Sequence, residues 1–149
     1  MNTNKLLLFD VDGTLVDSGN EIDKFMITTL KKLKSLGYHI GIAGGGNIDK
    51  ILKQMKSEIY FDHYFSECGC IYYKNTANNE LNLEKIYEKN IRDHKLYLSI
   101  DKLIKQSLEF LSKVEYTITG NFIDLRTGII YISLIGMSAN ESEREYFKK

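Results

Sequence analysis

The sequence predicts an α/β fold: a parallel sheet with helices packed on it, followed by an α+β region containing an antiparallel hairpin. Short apolar runs alternate with amphipathic stretches in the order strand, helix, strand, helix, strand. That order implies parallel strands joined by right-handed crossovers. The first two strands end in Asp10 and in Gly44-Gly45-Gly46, at the carboxyl edge where such sheets bind ligands. Further on, residues 122–125 and 129–134 flank Arg126-Thr127-Gly128, a hairpin signature.

Each element has its own warrant. Residues 5–9 carry the run Leu6-Leu7-Leu8-Phe9, which suits a strand buried on both faces. Residues 21–36 read as a helix with Ile22, Phe25, Met26, Leu30, Leu33 and Leu36 on one face. Gly37 is its C-cap candidate. Residues 38–43 form the second strand. Asn47 is a good N-cap for a helix over 48–55. Residues 59–66 and 70–73 supply two more short strands. The polar stretch Asn75-Thr76-Ala77-Asn78-Asn79 reads as a boundary between two lobes, 1–78 and 79–149. Beyond it, residues 96–111 predict a helix through Ile100, Leu103, Ile104, Leu108 and Leu111. Ser138-Ala139-Asn140-Glu141 is a capping-box pattern opening a last helix.

Composition narrows the class. A length of 149 residues suits one domain or two small lobes. Hydrophobic residues make up 43%, enough for a real core and against a wholly disordered chain. Basic and acidic residues number 20 each, so no global charge draws the chain to nucleic acid or a membrane. Cys68 and Cys70 are too few and too close for a disulfide framework, and His39, His63 and His94 add little toward a zinc site. No apolar run approaches the ~20 residues that span a bilayer, and no secretory leader is visible. A soluble, cytoplasmic protein is expected.

The chemistry is concentrated at Asp10 and Asp12. Two carboxylates at i and i+2 on a strand end are costly unless they are used. Phosphoryl transfer needs a nucleophile, a cation against phosphate charge, and a group that moves a proton. Asp10 can attack phosphorus, and Asp12 can exchange the proton. Magnesium is served by one or two carboxylates plus phosphate. Gly13 permits the tight turn that aims backbone amides at an anion. Gly44 and Gly45, between a strand and a helix, can hold phosphate oxygens; a simple turn is the alternative. Asp-x-Asp alone has a purely structural alternative too, but an apolar strand followed by Asp-Val-Asp-Gly-Thr is much more specific.

That segment resembles the first motif of the haloacid dehalogenase (HAD) superfamily. The order of further segments narrows the resemblance to eukaryotic-type phosphomannomutases: Ile40-Gly41-Ile42-Ala43-Gly44-Gly45, Phe65-Ser66-Glu67-Cys68-Gly69, Gly120-Asn121-Phe122-Ile123-Asp124-Leu125-Arg126-Thr127-Gly128, Ile132-Ser133-Leu134-Ile135-Gly136-Met137-Ser138 and Glu141-Ser142-Glu143-Arg144. It implies a HAD-like Rossmannoid core with an α+β cap. It also implies interconversion of mannose 6-phosphate and mannose 1-phosphate, feeding GDP-mannose synthesis. Asp10 matches the phosphorylated nucleophile and Asp12 the acid/base. Magnesium would bind the Asp10 carboxylate and the Asp12 main-chain carbonyl. Arg126 matches a cap arginine that grips the phosphate not being transferred, a task suited to a guanidinium fork. The family's caps tend to pair as homodimers.

The departures from the family pattern are specific. Gly19 stands where the family has an arginine, Gly46 where it has a hydroxyl residue, and Cys68 where it has asparagine. Thr119 and Met137 replace two cap arginines. Each lost charge-assisted bond weakens anion binding by about 1.5–3 kcal/mol. The family pattern also continues past Arg144, through a lysine, an acidic metal-binding loop and further strands. Core and cap are therefore expected to be incomplete, with a truncated non-catalytic remnant or a residual magnesium-dependent phosphatase as alternative readings.

Overall fold

The computed structural model describes residues 5–17 and 20–148. The apolar run becomes β1, Leu6–Asp10, and pairs in parallel with β2, His39–Ala43; β2 pairs in parallel with β3, His63–Ser66. The two crossovers carry α1, Lys24–Ser35, and α2, Ile48–Met55. After β3 the sheet changes sense. β4, Ile71–Asn75, runs antiparallel to β3, and β5, Leu83–Glu88, antiparallel to β4. The sheet order is thus β1-β2-β3-β4-β5. The reversal is made in one short turn, with Glu67, Cys68 and Gly69 at φ of 49°, 56° and 83°.

Polar residues 76–82, together with Asn75, form the loop between β4 and β5. Asn75 organises it by accepting from the Asn82 amide at 2.8 Å and donating to the Glu80 carbonyl at 3.0 Å. The stretch is polar because its side chains close a hairpin. Two compact units divide further on, as Met1–Lys89 and Asn90–Lys149.

The core of the first unit lies on the helix-covered side of the sheet. Ile40, Ile42, Phe61 and Tyr64 are fully buried, packed with Ile27, Leu30, Ile51 and Met55. α1 starts three residues later than its pattern predicts, because the Asp23 side chain caps it by accepting from the Met26 amide at 2.7 Å. Phe25 and Leu36, expected on its apolar face, are exposed, while Ile22 is buried outside the helix. α2 has the predicted bounds, and Asn47 caps it through the Lys50 amide at 2.9 Å.

The second unit holds α3, Tyr97–Leu111, the hairpin of β6, Ile123–Leu125, with β7, Ile130–Ile132, and α4, Glu141–Phe147. Of the predicted stripe on α3, Leu111 is buried whereas Leu103 and Leu108 are exposed. The capping box of α4 is built from Asn140 and Glu143, two residues beyond the predicted pair. The Ser138 amide, which a box at 138 would need, donates instead to the Thr119 carbonyl at 3.2 Å. Among the described residues no helix is long and apolar enough to cross a membrane.

Candidate active site

β1 delivers Asp10 to the sheet edge, paired with Ala43 of β2. The next residue, Val11, is buried, and its carbonyl accepts the amides of Thr14, Leu15 and Val16 at 3.3, 3.0 and 3.1 Å. Gly13, at φ 83°, closes the turn and donates to the Val16 carbonyl at 2.7 Å. A residue with a Cβ is strained at that angle. Leu15 and Val16 are buried below the turn. The apolar residues anchor the loop, and Asp10 and Asp12 stand on its exposed side.

Asp12 is met by two residues of α2. Lys50 Nζ lies 3.1 Å from Oδ2, and Gln54 Nε2 donates to Oδ1 at 2.9 Å. Lys50 is half exposed and Gln54 is buried. Neither residue is singled out by a motif. The signal that could have found them is their i, i+4 spacing on the helix that the glycine run opens.

The glycine run packs directly on this turn. A Cβ on Gly44 would fall 2.9 Å from Val11 Cγ2, so glycine is needed for the two loops to approach. The Gly44 amide donates to the Phe65 carbonyl at 3.1 Å, which commits it to the sheet. The turn after β3 braces the run from behind, with the Cys68 amide on the Gly44 carbonyl at 2.9 Å and the Glu67 amide on the Gly46 carbonyl at 3.0 Å. A Cβ on Gly45 would lie 3.7 Å from Cys68 Sγ.

Asp10, Asp12, Gly44 and Gly45 thus gather at one end of the first unit. Arg126 belongs to the second. It sits at the β6–β7 turn, where its amide donates to the Ile129 carbonyl at 3.0 Å. Its Nε contacts Asp124 Oδ2 at 2.6 Å, and its guanidinium lies 5.6 Å from the Tyr131 ring centre. Thr119 and Met137 lie on neighbouring strands of chain there, their amides donating to Ile135 and Asn121. Gly19 lies outside the described residues.

The profile of the family described as "Eukaryotic phosphomannomutase" matches residues 26–149. The chain belongs to the eukaryotic phosphomannomutase family. It is 35% identical over 154 residues to Phosphomannomutase 2 of Dictyostelium discoideum, covering 99% of this chain and 57% of that one. It is 31% identical over 150 residues to the phosphomannomutase of Spinacia oleracea, covering 97% and 56%. The chain thus spans little more than half the length of these curated relatives. Among solved structures, a HAD subclass IIB sugar phosphatase aligns with a TM-score of 0.52 at 25% identity, over 69% of this chain and 38% of that one. The mixed five-stranded sheet is that of the HAD superfamily.

Proposed function

We propose that this chain performs the phosphoryl transfer of a phosphomannomutase, with mannose 6-phosphate and mannose 1-phosphate as substrates. The observation that carries the reading is the anchored turn that sets Asp10 and Asp12 at the carboxyl end of β1, packed against the Gly44 loop. The Asp10 carboxylate takes a phosphoryl group from a hexose bisphosphate, the bond to the sugar oxygen breaking as an aspartyl phosphate forms. The free hydroxyl of the hexose monophosphate then attacks that phosphorus, the aspartyl bond breaks, and the bisphosphate so formed returns its other phosphate to Asp10. Asp12 gives the departing oxygen its proton and takes one back when the other sugar hydroxyl attacks. The Asp10 carboxylate and the Asp12 main-chain carbonyl would hold a magnesium ion, a hard cation served by one or two carboxylates together with phosphate. Among the described residues no cluster of three or more His, Cys, Asp or Glu adds to them. When bound, the ion neutralises phosphate charge. Arg126 offers a guanidinium to the second phosphate, in exchange for its contact with Asp124.

The test is turnover of mannose 1-phosphate to mannose 6-phosphate with a hexose bisphosphate and magnesium. Turnover is expected in the wild-type chain and is abolished in Asp10→Asn. Equal rates in the two would overturn the reading. Hydrolysis of an aryl phosphate without mutase turnover would replace it with the phosphatase reading.

A further inference from the structure

We propose that Lys50 and Gln54 are positioning residues that hold the Asp12 carboxylate in place, and that Gly46 is the space that lets Lys50 reach it. This rests on Asp12 being the proton-exchanging group of the site.

The two donors take one carboxylate oxygen each, at 3.1 and 2.9 Å, so together they fix the rotation of the carboxylate as well as its place. Both come from one face of α2, a turn apart. Each is itself anchored. The Lys50 amide is held by Asn47 at the start of the helix. The Gln54 carbonyl accepts the Ile22 amide at 2.9 Å, and the residue is 5% exposed. Burying an amide side chain is costly unless it is hydrogen-bonded, and Asp12 is the acceptor that Gln54 Nε2 finds. The Lys50 pair has a different rationale. An ion pair this exposed contributes little to stability, so its effect is on the geometry of Asp12.

Gly46 completes the arrangement. The Lys50 stem lies across its Cα: a Cβ there would sit 3.0 Å from Lys50 Cδ, 3.4 Å from Cβ and 3.5 Å from Cγ. The two shorter distances are tighter than ordinary contact, so a larger residue at 46 displaces the stem. The φ of Gly46 is not in the left-handed region, so glycine there serves space, not backbone strain.

The test uses the full chain labelled with ¹⁵N, and relaxation dispersion at the Asp12 and Gly13 amides. Lys50→Met is expected to increase exchange broadening at both, Lys50→Arg to restore the wild-type profile, and Gly46→Ala to give a partial effect, all with an unchanged melting midpoint. Unchanged dispersion in Lys50→Met would overturn the proposal. As a second readout, beryllium fluoride with magnesium is titrated and the adduct followed by ¹⁹F NMR. Lys50→Met is expected to weaken its formation about tenfold, and equal affinity would again overturn the proposal. Absence of the adduct in the wild type, or its persistence in Asp10→Asn, would instead remove Asp10 as nucleophile. The amide readout would still decide the role of Lys50.

Discussion

Cys68 holds φ 56° and ψ 31°, directly after Glu67 at φ 49°. A side chain with a Cβ is disfavoured there, and asparagine is one of the few non-glycine residues that tolerate it. The turn persists because its amides brace Gly44 and Gly46. Cys68→Asn is therefore expected to stabilise the chain by about 0.5–1 kcal/mol, and Cys68→Val to destabilise it by about 1 kcal/mol or more. Urea unfolding measures both, and a Cys68→Asn variant no more stable than wild type would refute the strain. Some residues of this site were legible because their signal is local. Asp10, Asp12 and Gly13 follow an apolar strand in five consecutive motif positions, and the glycine run ends the next strand. Lys50 and Gln54 were not legible, because they meet Asp12 across 38 and 42 residues of chain. Cys68 stood out as a departure, but its backbone angle is imposed by the loop it supports.

The elements show the same division. α2 was read to the residue because an asparagine cap and an apolar periodicity coincide in its own sequence. β5 had no such signal. Leu83 packs on the core, but Glu84, Lys85, Ile86, Tyr87 and Glu88 are exposed, so the strand is defined by its pairing with β4. β3 carries a measurable consequence of burial. Tyr64 is fully buried, its hydroxyl accepts the Phe61 amide at 3.0 Å, and its ring meets Phe61 edge-on at 5.8 Å. Burial pushes its pKa up to about 12 from the usual 10.0. A raised pKa favours the proton-bound form in the folded state. Its contribution is complete below pH 10 and is lost as pH rises toward 12, in total about 2–3 kcal/mol. Tyr64→Phe cannot ionise and is expected to lack this part of the alkaline decline. At pH 7 it costs about 1–2 kcal/mol, because the Phe61 amide is left unpaired. Urea unfolding between pH 7 and 12 separates the two effects. An alkaline limb that is the same in both proteins would refute the assignment to Tyr64.

At the scale of the whole molecule, the two compact units differ in how much apolar surface they bury by themselves. The first unit has a continuous core from Val11 to Tyr64, with Phe9, Met26, Leu33, Ile48, Leu52, Tyr73 and Leu83 packed against it. Its helices, its sheet and the acidic turn all rest on that core. Among the described residues of the second unit, the buried apolar ones are Leu111, Ile135 and Ala139, while α3 leaves Leu98, Leu103, Leu108 and Phe110 exposed. The sequence could not distinguish these cases. Amphipathic periodicity reports which residues share a face of α3, and says nothing about whether anything covers that face. Small units are marginal even with a well-formed core, so the two halves of the chain are expected to part company when separated. A fragment of residues 1–89 should show a cooperative thermal transition and dispersed amide resonances. A fragment of residues 90–149 should show helical circular dichroism with a broad, non-cooperative melt. Since Asp10, Asp12, Gly44, Lys50 and Gln54 all lie in the first unit, fragment 1–89 should also keep the Asp12 amide dispersion of the full chain. Cooperative folding of 90–149 alone, or its absence in 1–89, would show that the stability of the molecule is shared between the units and not concentrated under the site.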